Sequence, residues 1–365
     1  MTKVPLNDLG RLSSSLKSEL SDMIKNVVSS GWFLKGPHTE ALETQISDRF
    51  ANRPVITVAN GTDALYLALL AAGVRSGKNV ATVANAGGYT TGAVLRLGGN
   101  PILIDIDQNT AQMSLEALHH VITKTAVDVV VVTHLYGLVG DIGGISELCG
   151  ERGITLIEDC AQSFGAAVGN RPAGTFGDIA TTSFYPTKNL GGFGDGGAVI
   201  CKTEAIGGCV AELAQYGWGN RYSIERPFGI NSRLDEIQAA ILSRLMQDLD
   251  EKNDRRRSII NHFQSAISHD RYMICEDSER FVGHLAVLVT PNREVDQSIL
   301  NKNGIATAIH YPIADHHQLA WQNQFGDCSL SETEWLNSRI LTVPCFPEMT
   351  ENEIEIVASA LSKLG

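Results

Sequence analysis

Short apolar runs alternate along the first two-thirds of the chain with stretches in which apolar residues recur every three to four positions. VITVA (55–59), NVATVA (79–84), PILIDI (101–106), DVVVVT (128–133), ITLIE (154–158), IATTSF (179–184) and GAVICK (197–202) read as strands. Several are almost unbroken in Val, Ile and Leu, the composition of strands covered on both faces of a parallel sheet. Helical spacing fills the gaps, as in TDALYLALLAAG (62–73) and SLEALHHVITK (114–124), and further helices are expected over 15–30 and 38–50. The pattern is that of an α/β fold, a layered domain with a mostly parallel central sheet. In NSRLDEIQAAILSRLMQDL (231–249) the residues Leu234, Ile237, Ile241, Leu245 and Leu249 mark one helix face. The charged stretch DEKNDRRR (250–257) then reads as an exposed helix, and the texture changes. A large domain over 1–250 and a smaller C-terminal α+β domain over 251–365 are expected.

Composition narrows the partners more than the fold. The chain has 365 residues, 43% of them hydrophobic, and 35 glycines, which suits a compact enzyme with many tight turns. With 29 Lys+Arg against 41 Asp+Glu the net charge is −12, which argues against nucleic acid or an anionic membrane as partner. An anionic substrate must then be held by local donors. No apolar run approaches the roughly 20 residues needed to cross a bilayer, and the N-terminal stretch lacks a signal-peptide core. The seven cysteines are odd in number and without CxxC pairing, the usage of reduced thiols in a cytoplasmic protein. His119 with His120 and His316 with His317 are adjacent pairs, poorly placed to share a metal, and no metal site is expected.

The chemistry concentrates at Asp159 and Lys188. Asp159 ends an apolar run, so it falls at the carboxyl end of a buried strand; Lys188 follows IATTSF on a turn opened by Pro186 and closed by glycines. A carboxylate and a lysine delivered to one sheet edge are what pyridoxal phosphate requires: the lysine for a Schiff base, the carboxylate to keep the ring nitrogen protonated. NGTDAL (60–65) follows a strand and opens a helix, where Gly61 permits a tight turn and free N–H groups with the Thr62 hydroxyl suit a phosphate; equally, Asn60 or Thr62 is an ordinary helix cap. Ser183 is a second phosphate donor or a strand-end serine bonded to nearby backbone. Gln162 would contact a cofactor oxygen or cap. GFGDGG (192–197) satisfies GxGxxG, but a strand follows where a dinucleotide site needs a helix.

On these segments the chain resembles the DegT/StrS-type nucleotide-sugar aminotransferases, a branch of the fold-type-I pyridoxal phosphate enzymes. The similarity runs end to end, through SSGWFLKGPHTEALE (29–43), NGTDAL, HLYG (134–137), EDCAQSFGA (158–166), GTFGDIATTSFYPTKNLGGFGDGGAV (174–199), YGWGNRY (216–222), GINSRLDEIQAAIL (229–242), IHYP (309–312) and VPCFPEM (343–349). The resemblance implies a fold-type-I architecture with pyridoxal 5′-phosphate, alternating with pyridoxamine phosphate, as cofactor. It makes Lys188 the Schiff-base lysine, Asp159 the ring-nitrogen partner and Gln162 a ring contact, with Gly61, Thr62 and Ser183 on the phosphate. Asn231 would reach that phosphate from the other subunit of a homodimer; a helix N-cap is its bland role. Tyr185, His310 and Tyr311 would face substrate. Two positions depart from the family. VANAGGYTT (83–91) stands where a Pro-Ala pair is common, leaving Tyr89 as the ring-stacking aromatic, and Tyr185 stands where histidine is common. Relatives that replace the lysine become dehydratases, so Lys188 argues for transamination. The implied substrates are L-glutamate and a nucleotide-linked ketohexose, a dTDP-3-keto-6-deoxyhexose or a UDP-3-keto sugar, since NSRLD accompanies C3 and NYR accompanies C4 amination. A C4 enzyme or a non-catalytic regulatory protein on the same fold are the alternatives.

Overall fold

The computed structural model describes residues 3–267 and 270–364. All seven expected strands form: β1 (Val55–Val58), β2 (Asn79–Val83), β3 (Asn100–Ile104), β4 (Val129–Thr133), β5 (Thr155–Asp159), β6 (Ile179–Ser183) and β7 (Gly197–Cys201). They make one sheet in the order β1-β7-β6-β5-β4-β2-β3. Only β7 runs against its neighbours, pairing antiparallel with both β1 and β6; the other pairs are parallel. Six strands therefore end at the same edge, and Asn60, Asp159 and Ser183 arrive there together. β4 is buried throughout, as its run of valines requires when helices cover both faces.

Four helices precede or flank that edge: α1 (Leu9–Ser30), α2 (Pro37–Arg49), α3 (Gly61–Ala71) and α4 (Tyr89–Arg96). α3 is buried over every residue from Ala64 to Leu70, so its apolar run reads as helix only because of its length. The continuous helix expected over 231–249 is shorter. It spans Glu236–Leu245, passes through a 3₁₀ turn at Met246–Asp248 and resumes as Leu249–Ala266. Residues before Asp235 are drawn out straight, and Asn231 forms an antiparallel bridge with Gln215; the N-cap position is Asp235, so Asn231 does not cap. The cause is tertiary. The Glu236 carboxylate accepts from the N–H groups of Gly36, His38 and Thr39 and from the Thr39 hydroxyl, supplying α2 with the cap its own sequence lacks. Burial pushes this carboxyl up, but the Thr39, His38 and Gly36 donors outweigh it and hold it below its ordinary range.

The helix Leu249–Ala266 is not the exposed charged helix its composition suggests. Asn253 and Arg256 are buried, with Asn253 Nδ2 donating to Phe164 O and Arg256 Nη1 to Cys345 O. Beyond it a three-stranded antiparallel sheet, β8 (Tyr272–Met273), β9 (Ala286–Val289) and β10 (Ile340–Val343), forms the second lobe. A single apolar cluster joins Val287 and Leu341 of this sheet to Ile104 and Val130 of the large one. The chain start also belongs to the second lobe, since Val4 bridges Ile305. Among the described residues, no helix is long and apolar enough to cross a membrane.

Candidate active site

At the edge where six strands end, the first turn of α3 lies against β6. Asn60 is its N-cap, with Oδ1 accepting from Asp63 N at 2.8 Å. Among the described residues the N–H groups of Gly61 and Thr62 find no acceptor. The cap and a phosphate site are thus compatible: one donor is satisfied internally and two remain. Glycine is required here by proximity. A Cβ on Gly61 would stand 2.7 Å from Ser183 Cβ, and one on Gly197 would stand 2.7 Å from the Asn60 backbone. The Asp63 carboxylate accepts from Ser232 Oγ at 2.7 Å, and Ser232 Oγ accepts from Ala59 N at 3.0 Å. The segment carrying Asn231 is thereby pinned beside the same turn.

Gly61, Thr62, Ser183, Asp159 and Lys188 line one cavity of about 360 Å³. Asp159, 6% exposed, accepts from Ala161 N at 3.1 Å. Burial pushes its carboxyl above the ordinary value, against the pull of the Ala161 N–H and the charges of Lys188 and His134. Lys188 is the mirror case: burial pushes its amine down, and only Asp159 pulls it back. The lysine turn is held from several sides. Lys188 N donates to Tyr185 O at 2.8 Å, and Asn189 Nδ2 donates to Asn253 Oδ1 at 2.7 Å and Val282 O at 3.0 Å. A Cβ on Gly191 would meet Pro186 O at 2.5 Å. Gly197 begins β7, so GFGDGG leads into a strand, as the dinucleotide reading forbids.

Beneath Asp159 lies a buried pair that the sequence reading passed over. Glu158 accepts from Gly174 N (2.8 Å), Gly177 N (2.6 Å) and His134 Nε2 (3.1 Å), and both side chains are fully buried. His134 N donates to Asp159 O at 3.1 Å, which locks β4 and β5 together at their ends. Nothing in HLYG marks this histidine, because its partner comes from another strand.

Tyr89, Tyr185, His310 and Tyr311 all line the cavity, joined by His284, Thr187 and Asp195. Tyr89 meets Tyr311 edge to face at 6.2 Å. The departure from Pro-Ala is geometric: Gly87 and Gly88 have φ of +80° and +77°, which proline cannot adopt, and a Cβ on Gly87 would strike Tyr311. His284 was missed because it stands alone in an apolar segment; its Nδ1 meets Asn189 Oδ1 at 2.9 Å, and burial holds it well below its ordinary value. His310 Nδ1 meets Thr342 Oγ1 at 2.8 Å. Gln162 stands behind the wall and not on it. Its Oε1 accepts from Tyr136 N at 2.7 Å and its Nε2 donates to Tyr311 at 2.9 Å, so it positions Tyr311. Asn231 is exposed and does not line its own chain's cavity.

Asp315, from the second lobe, stands where α4 lacks a cap of its own. It accepts the Thr91 hydroxyl, and a Cβ on Gly88 would come within 3.7 Å of it. Burial pushes its carboxyl up to about 7. A carboxyl raised on folding costs stability as pH climbs from its unfolded value near 4 through 7. Asp315→Asn should therefore gain on wild type as pH rises from 4 to 8, by up to about 4 kcal/mol. Urea unfolding at both pH values checks this, and a pH-independent difference would refute it.

The sequence profile of the DegT/DnrJ/EryC1/StrS aminotransferase family matches residues 14–362. The dTDP-3-amino-3,6-dideoxy-alpha-D-galactopyranose transaminase of Aneurinibacillus thermoaerophilus is 34% identical over 99% of both chains. The pleiotropic regulatory protein of Geobacillus stearothermophilus is 32% identical over 99% of this chain and 98% of its own. Among solved structures, DesV of S. venezuelae superposes with a TM-score of 0.95 at 30% identity, covering 100% of this chain and 98% of that one. NtdA of Bacillus subtilis, with bound cofactor PMP, superposes at 0.92 and 28% identity, covering 99% and 85%.

Proposed function

Because the chain belongs to the DegT/DnrJ/EryC1/StrS aminotransferase family, we propose that it converts the C3 keto group of a nucleotide-linked hexose to an amine, with L-glutamate as donor. The observation that carries the reading is the convergence of Asp159 and Lys188 on one cavity with the Gly61–Thr62 turn and Ser183. The residues fit pyridoxal phosphate: two uncommitted N–H groups and two hydroxyls for the phosphate, a buried carboxylate for a cationic ring nitrogen, and a buried amine for the aldehyde carbon. The activity of the Aneurinibacillus relative, a dTDP-3-amino-sugar transaminase, supports C3, and dTDP or UDP is the expected nucleotide. Reduced, unpaired cysteines fit a cytoplasmic enzyme.

When bound, the cofactor supplies an electron sink for the pair left behind as a proton leaves the donor's α-carbon. The protein supplies the rest. Lys188 Nζ would hold the cofactor and, when freed, would take that proton and return it; burial shifts the amine toward its neutral, proton-accepting form. Asp159 would hold negative charge toward the cofactor's ring nitrogen. Tyr89 and Tyr311 form part of the cavity wall.

The regulatory name of the Geobacillus relative gives a rival reading, and one measurement separates the two. On adding glutamate to the purified cofactor-loaded protein, the visible band of the aldehyde form should give way to that of the amine form. A sensor without turnover would keep its spectrum.

Asn231 would serve the partner's phosphate in a homodimer. Its exposure fits, as do the exposed aromatics Trp32, Phe33, Tyr222 and Phe228, a set more apolar than a monomer's surface usually carries. Mixing Lys188→Ala with Asn231→Ala protein, each inactive alone, should restore activity toward about a quarter of wild type on statistical subunit exchange. Exchange without recovery would place Asn231 in its own subunit's site.

A further inference from the structure

Outside the cavity, the second lobe gathers two imidazoles and a carboxylate at one point. His316 and His317 sit in the 3₁₀ turn Asp315–His317, and Glu334 on the helix Ser331–Asn337. His316 Nε2 lies 3.1 Å from Glu334 Oε1 and His317 Nε2 lies 3.9 Å from the same oxygen. All three ligating atoms fall within 4.8 Å of one another. We propose that His316, His317 and Glu334 form a binding site for a divalent transition metal of the Zn²⁺ class.

The spacing is that of ligands around one ion. Ligand atoms about 2.0–2.1 Å from a tetrahedral metal stand roughly 3.3 Å apart, so the present triangle needs only small rotations. The sequence reading discounted adjacent histidines, since neighbours usually diverge. Here the tight turn brings the two rings together at a tilt of 48°, with centroids 4.1 Å apart, and the third ligand comes from a different element. An ion pair with Glu334 would account for His316 alone. It would not account for His317 Nε2 also turning toward the same oxygen, 3.9 Å away, whereas one metal ion takes two imidazoles and a carboxylate together.

The carboxylate is held ready. Glu334 Oε1 accepts from Leu330 N at 3.1 Å and, at 3.4 Å, from Ser329 Oγ, while Oε2 has no partner among the described residues. His316 is buried and His317 is 55% exposed at its side chain, which leaves a fourth position open to water. Two nitrogens and one carboxylate select Zn²⁺, Co²⁺ or Ni²⁺ over Mg²⁺ or Ca²⁺. The bound ion would tie the Asp315 turn to the helix behind it and so stiffen the support of the Gly88–Thr91 segment.

The test uses cofactor-loaded protein without a polyhistidine tag. Zn²⁺ titrated in competition with a chromophoric chelator should bind at one site per chain with a Kd on the order of micromolar, and Co²⁺ should give the visible bands of a four-coordinate site. Millimolar Mg²⁺ should not displace either ion. His317→Ala and Glu334→Gln should each weaken binding at least about tenfold. The double variant His119→Ala/His120→Ala, at the exposed pair on helix Leu115–Lys124, should bind as wild type does. His317 is exposed enough that its removal should leave the fold intact, with far-ultraviolet circular dichroism as the check. Absence of saturable binding below about 1 mM, or binding unchanged in folded His317→Ala, would overturn the proposal.

Discussion

Lys188→Ala should lose transamination by on the order of 10⁴-fold while the fold persists. The side chain has no structural hydrogen bond to lose, since the turn is fixed through its backbone and through Asn189. What disappears is the buried amine base of the cavity. Burial holds the Lys188 amine down and Asp159 alone pulls it up, while the Nδ1 atoms of His284 and His310 are already engaged with Asn189 and Thr342. Removing three methylenes and the amine leaves room for a small amine, and methylamine should restore part of the rate in proportion to its neutral fraction. A merely structural lysine would give no such rescue. Borohydride reduction of the wild type followed by peptide mapping should find the cofactor on Lys188; attachment at any other lysine would sink the assignment.

Asp159→Asn should cut kcat/KM roughly a hundredfold, the equivalent of about 3 kcal/mol, without weakening the fold. The amide can still accept from Ala161 N, so the turn after β5 is kept, while the negative charge at the cavity floor is gone. Because burial penalises the ionised Asp159, losing that charge should leave the thermal midpoint at or above that of wild type. The same change removes the only influence that raises Lys188. The acid limb of the pH–rate profile should therefore move to lower pH as the overall rate falls. Turnover within threefold of wild type would reduce Asp159 to a strand-end cap.

The large sheet was legible because burial on both faces writes strands as unbroken apolar runs, and Asp159 and Lys188 were legible because each follows such a run into a turn. Elements shaped by distant partners were not. Glu236 starts its helix five residues later than the apolar stripe of 231–249 implies, because its carboxylate serves the amides of α2. The polar residues Asn253 and Arg256 face inward because backbone carbonyls of Phe164 and Cys345 await them, and composition cannot show acceptors on other segments. Gln162 reads as a cofactor contact from the sequence, which could not show that its amide also joins Tyr136 N to Tyr311. The second lobe's contribution to the cavity was legible at His310 and Tyr311 through IHYP, and illegible at His284, a lone histidine approaching an apolar strand.

The reversed strand β7 governs when the site can exist at all. β1 has its partner in β7, Val55 lying opposite Ile200, so the first strand of the sheet to leave the ribosome waits for the last. Until then Gly61 has no Ser183 to rest against, and the loop bearing Lys188 is a tail with one fixed end. Pairings of such sequence separation form late because the closing chain is long. The cofactor can grip only after that closure, so it should lengthen the lifetime of the finished protein and leave the rate of refolding unchanged.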